Sequence, residues 1–333
     1  MDYDYFNPHH WTFYDSELGL GEETFIVNIY AFICIIGLPG IFLIVSAVFR
    51  FPKLQTVTHQ FTGNVAIANL SFLSALPFLI TTVDLGHWVF GWVVCKAYFS
   101  MTSVNQITIS FFLLITTVDR YLVVCHPTKA PKLRTQIISQ FVIIFVWIIT
   151  VVLIVPTARY AEILEIDERI SCNIFWPESE TMSGELIFIW YSFVIGFAAP
   201  VSFTLVFYII TMLRFLTVVT QNQNGFTKEQ REITKLVLSL VTVHFACWIP
   251  YWTCQMLLGL MHDPQRETFL IFFILSGISS YSYSATFPIM CFFLSENFNK
   301  SVKEVCFCCK KAEGNISSGL DMAEMNLISV TEN

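Results

Sequence analysis

The chain has 333 residues, of which 55% are hydrophobic, 33 are Phe and only 13% are charged, with a formal net charge of −7. An ordinary soluble domain carries about 25% charged residues, so this composition argues against a soluble enzyme and against a disordered chain. No nucleophile, metal or phosphate motif stands out, so no enzyme activity, cofactor, metal or nucleic-acid partner is expected.

Residues 1–23 carry six acids and no Lys or Arg. That is the reverse of a signal-peptide n-region, and the segment reads as extracellular and uncleaved. Apolar runs of about 20 residues span the hydrocarbon core of a bilayer. Seven runs meet or approach this, near 24–49, 59–83, 93–125, 137–158, 184–214, 233–260 and 267–294. They predict an all-α membrane protein, a seven-transmembrane helix bundle over 24–294. The fourth run holds no charge from Ile137 to Pro156, whereas the third carries Asn105, Gln106 and several Ser and Thr. A polar helix among apolar ones belongs at the centre of the bundle, because lipid does not solvate such groups.

Lys and Arg collect on cytoplasmic loops. With an external N-terminus, 14 of the 18 fall inside and 4 outside, while 16 of the 25 acids fall outside and 9 inside. The outer face is then anionic and suited to steering cationic ligands. The basic inner face suits anionic membrane lipid. The expected location is the plasma membrane, multi-pass, with the N-terminus extracellular. Cys95 and Cys172 both fall on the outer side, where a disulfide can form and would pin the second external loop over the bundle. Cys306, Cys308 and Cys309 follow the last span beside Lys310 and Lys311, a juxtamembrane pattern for S-palmitoylation. Residues 310–333 read as a cytoplasmic tail.

Several motifs fall in order along these spans. Trp88-Val89-Phe90-Gly91 precedes Cys95, and Val118-Asp119-Arg120-Tyr121 closes the third span. Pro200 precedes Tyr208 by eight residues in the fifth, and Cys247-Trp248-Ile249-Pro250 lies in the sixth. Phe293-Leu294-Ser295-Glu296-Asn297-Phe298 ends the seventh. Over roughly residues 25–305 the chain resembles the rhodopsin-like (class A) G-protein-coupled receptors of neuropeptide type. Within them it is most similar to the somatostatin, opioid and allatostatin-C group.

The resemblance implies a short amphipathic eighth helix within 295–309, a Cys95–Cys172 disulfide, and heterotrimeric G protein and arrestin as partners. It implies that Asp119, Arg120, Tyr121, Tyr208 and Pro288 form the G-protein switch. It places Thr102, Gln106, Trp248, Gln255 and Tyr281 at a ligand cavity. Trp248 is expected at the cavity floor, with Pro250 freeing a backbone carbonyl so that the helix can hinge.

The departures from the pattern are equally specific. Thr102 stands where amine, opioid and somatostatin receptors carry an Asp for a ligand ammonium. Asn69 replaces the sodium-binding acid of the second helix, and Ile109 a serine near it. A hard cation wants carboxylate oxygens, so weak sodium sensitivity and an altered basal activity are expected. The seventh helix reads Phe287-Pro288-Ile289-Met290-Cys291, without the Tyr that would meet Tyr208. His244 replaces an aromatic below Trp248. The reading is a receptor for an extracellular, basic neuropeptide. The alternatives are a receptor for a small odorant or lipid, and one that sequesters its ligand without signalling.

Overall fold

The computed structural model describes residues 20–166, 169–177, 184–220, 227–260 and 266–305. Seven long helices dominate it. They are α1 (Leu20–Arg50), α2 (Val57–Leu85), α3 (Gly91–Cys125), α4 (Gln136–Tyr160), α5, α6 (Lys228–Leu260) and α7 (Arg266–Leu294). α5 runs as Gly184–Phe193, a π-helical stretch Val194–Ala198, and Ala199–Thr220. Residues 296–305 form a further helix, α8. Helices α1 to α6 are each long and apolar enough to cross a membrane, and α7 carries no charge from Ile271 to Leu294.

The polarity of each helix decides its place. α3 packs against α2, α4 and α5 and also touches α6. In its most apolar window 67% of residues are buried, against 17% in α4. On α4 the residues Phe141, Phe145, Ile148 and Val152 are exposed. They recur at helical spacing and form an apolar stripe that only lipid or another apolar surface can cover.

Local features follow from residue type. Thr135 caps the N-terminus of α4 by accepting from the Ile138 amide at 3.3 Å. Gly86 ends α2 in the left-handed conformation, φ 69°, where a Cβ would be strained. Pro200 has no N–H to offer the Gly196 carbonyl, and just before it the α5 helix is wider. There the Ala199 amide bonds Val194 O, five residues back, as in a π-bulge. α1 approaches α7 closely at two glycines. A Cβ on Gly40 would sit 2.9 Å from Pro288 Cγ, and one on Gly37 3.3 Å from Ala285 Cα.

Between α4 and α5 the chain forms an antiparallel hairpin, β1 (Ala161–Ile166) and β2 (Arg169–Ile174). It lies over the Cys95 end of the bundle, held there by three ties described below.

Candidate functional site

The hairpin is the roof of a cavity. Cys95 and Cys172 are joined in a disulfide with Cα atoms 5.7 Å apart, tying α3 to β2. The Trp88 amide donates to Ile170 O at 2.7 Å, and Trp88 Nε1 to Gly91 O at 2.9 Å. Gly91 has φ +76°, so the Trp-x-Phe-Gly turn needs a residue without a Cβ there. Lys96 supplies the third tie. Its Nζ donates to the carbonyls of Ala158, Arg159 and Ala161 at 3.1, 3.1 and 2.7 Å, and to Glu162 Oε1 at 3.2 Å. A cation on the last carbonyls of α4 satisfies groups a helix end leaves open and complements its dipole.

Beneath the roof lies a cavity of about 270 Å³. Thr102 and Gln106 from α3, Trp248 and Gln255 from α6, and Tyr281 from α7 all line it. Gly196, in the π-helical stretch of α5, lies beside Gln106: an added Cβ would meet the Gln106 side chain at 3.5 Å, an ordinary van der Waals contact. Tyr281 stacks on Phe72 with ring centroids 4.1 Å apart, and Trp248 packs on Phe72 and Tyr251. An aromatic wall that sequence reading missed completes the lining: Phe72, Tyr98, Tyr251 and Trp252. Hydrophobic patterning marks such residues as core, and nothing in it separates core from cavity.

At the far end of α3 lies an ion-pair cluster. Asp119 and Arg120 are buried, 5% and 1% exposed, so each charge requires a partner. Arg120 Nε donates to Asp119 Oδ2 at 3.1 Å, and its Nη2 also bonds Asp119 and Thr58. Thr58 Oγ1, on α2, donates to Asp119 Oδ2 at 2.7 Å. Arg134 follows the single helical turn Ala130–Leu133 after α3, and its Nε donates to Asp119 Oδ1 at 2.6 Å. Neither Thr58 nor Arg134 was foreseen. Their only sequence signals are a hydroxyl at the start of α2 and a basic residue in a loop. Tyr121 bonds its hydroxyl to His126 Nε2 at 3.0 Å, and Tyr208 bonds Thr242 on α6 at 3.0 Å. Pro288 is buried against Gly40.

Nearby, α6 is tied to α8. Lys228 pairs with Glu296, the Glu296 amide donates to Glu232 Oε2 at 3.1 Å, and Asn297 Nδ2 donates to Glu229 Oε1 at 3.0 Å. The hydrogen bond and charge of Lys228 hold the Glu296 carboxyl below its ordinary range. Cys306, Cys308 and Cys309 lie outside the described residues.

Between the two ends the core is mostly apolar. Ile41, Ile109, Phe287 and Cys291 are all 0% exposed. His244 is also buried, with its ring 5.1 Å from that of Tyr283.

Comparison with known proteins agrees with this architecture. Residues 40–291 match the model of the 7 transmembrane receptor (rhodopsin family). Somatostatin receptor type 4 of Rattus norvegicus is 31% identical over 285 residues, covering 84% of this chain and 72% of that receptor. Somatostatin receptor type 2 of Mus musculus is 31% identical over 291 residues, 86% and 78% of the two chains. Somatostatin receptor type 5 of Rattus norvegicus is 28% identical over 309 residues, 92% and 84%. With a family match over most of its length, and with relatives at this identity, the chain belongs to the rhodopsin family of seven-transmembrane, G-protein-coupled receptors.

Proposed function

We propose that the chain is a plasma-membrane receptor for an extracellular peptide, and that its Cys95 end faces outward. Peptide binding in the roofed cavity shifts the bundle toward a state whose Arg120 end admits a heterotrimeric G protein, and then arrestin. Thr102, Gln106, Trp248, Gln255 and Tyr281 contact the ligand, while Asp119, Arg120, Tyr121, Tyr208 and Pro288 form the switch. Residues 1–23 lie outside, 310–333 form the cytoplasmic tail, and Cys306, Cys308 and Cys309 carry palmitate beside the basic inner face and its anionic lipid.

One observation carries the reading. A roofed cavity at one end and a buried ion-pair cluster at the other are joined by the same helix, α3, with Trp248 of α6 lining the cavity. A ligand shifts such an equilibrium by as much as it prefers one state over the other. The somatostatin receptors named above, being receptors for a peptide, support a peptide ligand here, and the acidic outer face supports a basic one.

The test is surface expression with a peptide library, read by G-protein dissociation and arrestin recruitment in parallel. A peptide that evokes both supports the proposal. A response confined to small volatiles or lipids replaces it with the small-ligand reading. Arrestin recruitment alone favours a receptor that sequesters its ligand. That second reading has its own support: Cys291, fully buried, stands where the resemblance expects a Tyr, so no hydroxyl from that position reaches toward Tyr208.

A further inference from the structure

Among the described residues Arg120 makes no bond to α6. Its guanidinium bonds Asp119 on α3 and Thr58 on α2, so the inner end of α6 is held by something else. Residues three and four apart share a helix face, and the first turn of α6 puts Lys228, Glu229 and Glu232 toward the start of α8. Lys228 pairs with Glu296 and also lies 3.8 Å from Glu232 Oε1. Glu229 Oε1 accepts from Asn297 Nδ2 at 3.0 Å, and Glu232 Oε2 accepts from the Glu296 amide at 3.1 Å. A further tie of α6, Thr242 to Tyr208 on α5, lies deeper in the bundle.

α8 is anchored without α6. Phe298 is fully buried, with its ring 5.2 Å from that of His59 on α2. Asn299 Nδ2 donates to Phe292 O on α7 at 3.3 Å, and Val302 and Val305 are buried. α8 is thus a fixed post and the first turn of α6 is the arm that meets it. The contact uses a group that α8 cannot satisfy alone. The first N–H groups of a helix have no partner inside it, and Glu232 supplies an acceptor whose charge complements the helix dipole. Lys228 and Glu296 are 75% and 50% exposed, and one such ion pair stabilises little. The three bonds end on two adjacent residues of α8, so they break together when α6 swings away.

We propose that the contact between α6 and α8 is an autoinhibitory clamp. It holds the inner face shut by fixing the first turn of α6 to α8, and Arg120 takes no part in it. Its consequence for signalling rests on the receptor reading above, whereas its effect on the position of α6 does not.

A charge-swap cycle tests it. Lys228→Glu, Glu296→Lys and the double variant are compared with the wild type as full-length protein in lipid nanodiscs, without ligand or G protein. Spin labels at the inner ends of α6 and α8, outside the clamp, report the separation. The wild type should show one short distance and each single variant an added longer population. The double variant should return to the short distance, because a cation and a carboxylate again face each other. Lys300→Gln removes a partner that Glu296 has within α8, 3.5 Å away, and should change nothing. Basal G-protein dissociation at matched surface expression, read over a panel of heterotrimers, should rise several-fold in each single variant and fall back in the double one. A single short distance in both single variants overturns the proposal, as does a longer population that the swap fails to reverse or that Lys300→Gln also produces. If the distances follow the cycle and no heterotrimer responds to any variant, G-protein coupling fails and the clamp stands. If a peptide activates the wild type while the distances ignore the cycle, the receptor reading stands and the clamp falls.

Discussion

Ser284 Oγ on α7 donates to Asn69 Oδ1 on α2 at 2.5 Å, and Asn69 Nδ2 donates to Val65 O at 2.9 Å. Both ends of the Asn69 amide are thus engaged within the protein. Ile109 on α3, where the resemblance expects a serine, is fully buried and apolar. A hard cation needs several oxygen ligands, preferably carboxylate, whereas the oxygens here are neutral: Asn69 Oδ1 is already in use, and Asn105, whose Nδ2 donates to Ala68 O at 3.1 Å, adds only an amide oxygen. Replacing choline chloride by sodium chloride at constant ionic strength should leave agonist affinity unchanged. A marked sodium-dependent loss of agonist affinity would contradict this assignment.

Asp119 is shared by two guanidinium groups and a hydroxyl, so its hold on Arg120 depends on groups from two other parts of the chain. A hydrogen bond to a charged group contributes about 1.5–3 kcal/mol. If most of that is lost when the inner face opens, Arg134→Ala should raise the active fraction at rest by about tenfold. Thr58→Val should act in the same direction and more weakly. Basal G-protein dissociation at matched surface expression measures both. Unchanged basal signalling in the two variants would mean that the cluster is merely structural.

Much of the fold was legible in the sequence because bilayer thickness imposes a length and an apolar composition on each span. α3 could be placed at the centre because Asn105, Gln106 and Thr108 cannot face lipid. The Cys95–Cys172 disulfide and the five cavity residues came from a family pattern rather than from spacing. What could not be read were pairings set by the rotation of one helix against another. Asn69 and Ser284 are 215 residues apart, and Thr58 and Asp119 are 61 apart. Hydropathy fixes the length of a span and is silent on which of its faces meets which neighbour. The π-helical stretch before Pro200 adds to this, since it rotates the first part of α5 relative to the rest.

The approach of α1 to α7 leaves no space at Gly40. A Cβ there would meet the rigid ring of Pro288 at 2.9 Å. Overpacking of this kind costs about 1–3 kcal/mol, so Gly40→Ala should lower the thermal stability of the purified receptor. Gly91→Ala should also destabilise, for a different reason: nothing lies within 4 Å, but φ is +76°. A fluorescence-monitored melt of both variants checks the pair.

Lys96 closes the end of α4 and anchors the hairpin. A cation at a helix C-terminus contributes about 0.3–1 kcal/mol when exposed, and up to about 2 kcal/mol when partly buried. Lys96→Met should therefore reduce stability slightly and reduce peptide affinity more, by letting the roof move. Hydrogen exchange of β1 and β2 should rise in this variant while that of the α3 core stays the same.

The central claim is that a ligand in the outer cavity opens the opposite face. The most direct measurement is the distance between spin labels at the inner ends of α6 and α8, outside the Lys228–Glu296 and Asn297–Glu229 contacts, in receptor held in nanodiscs. The account predicts a single short distance at rest. It predicts a longer one when an activating peptide and G protein are added together, with the Lys228–Glu296 tie broken. A distance that stays the same at saturating peptide and G protein would contradict it.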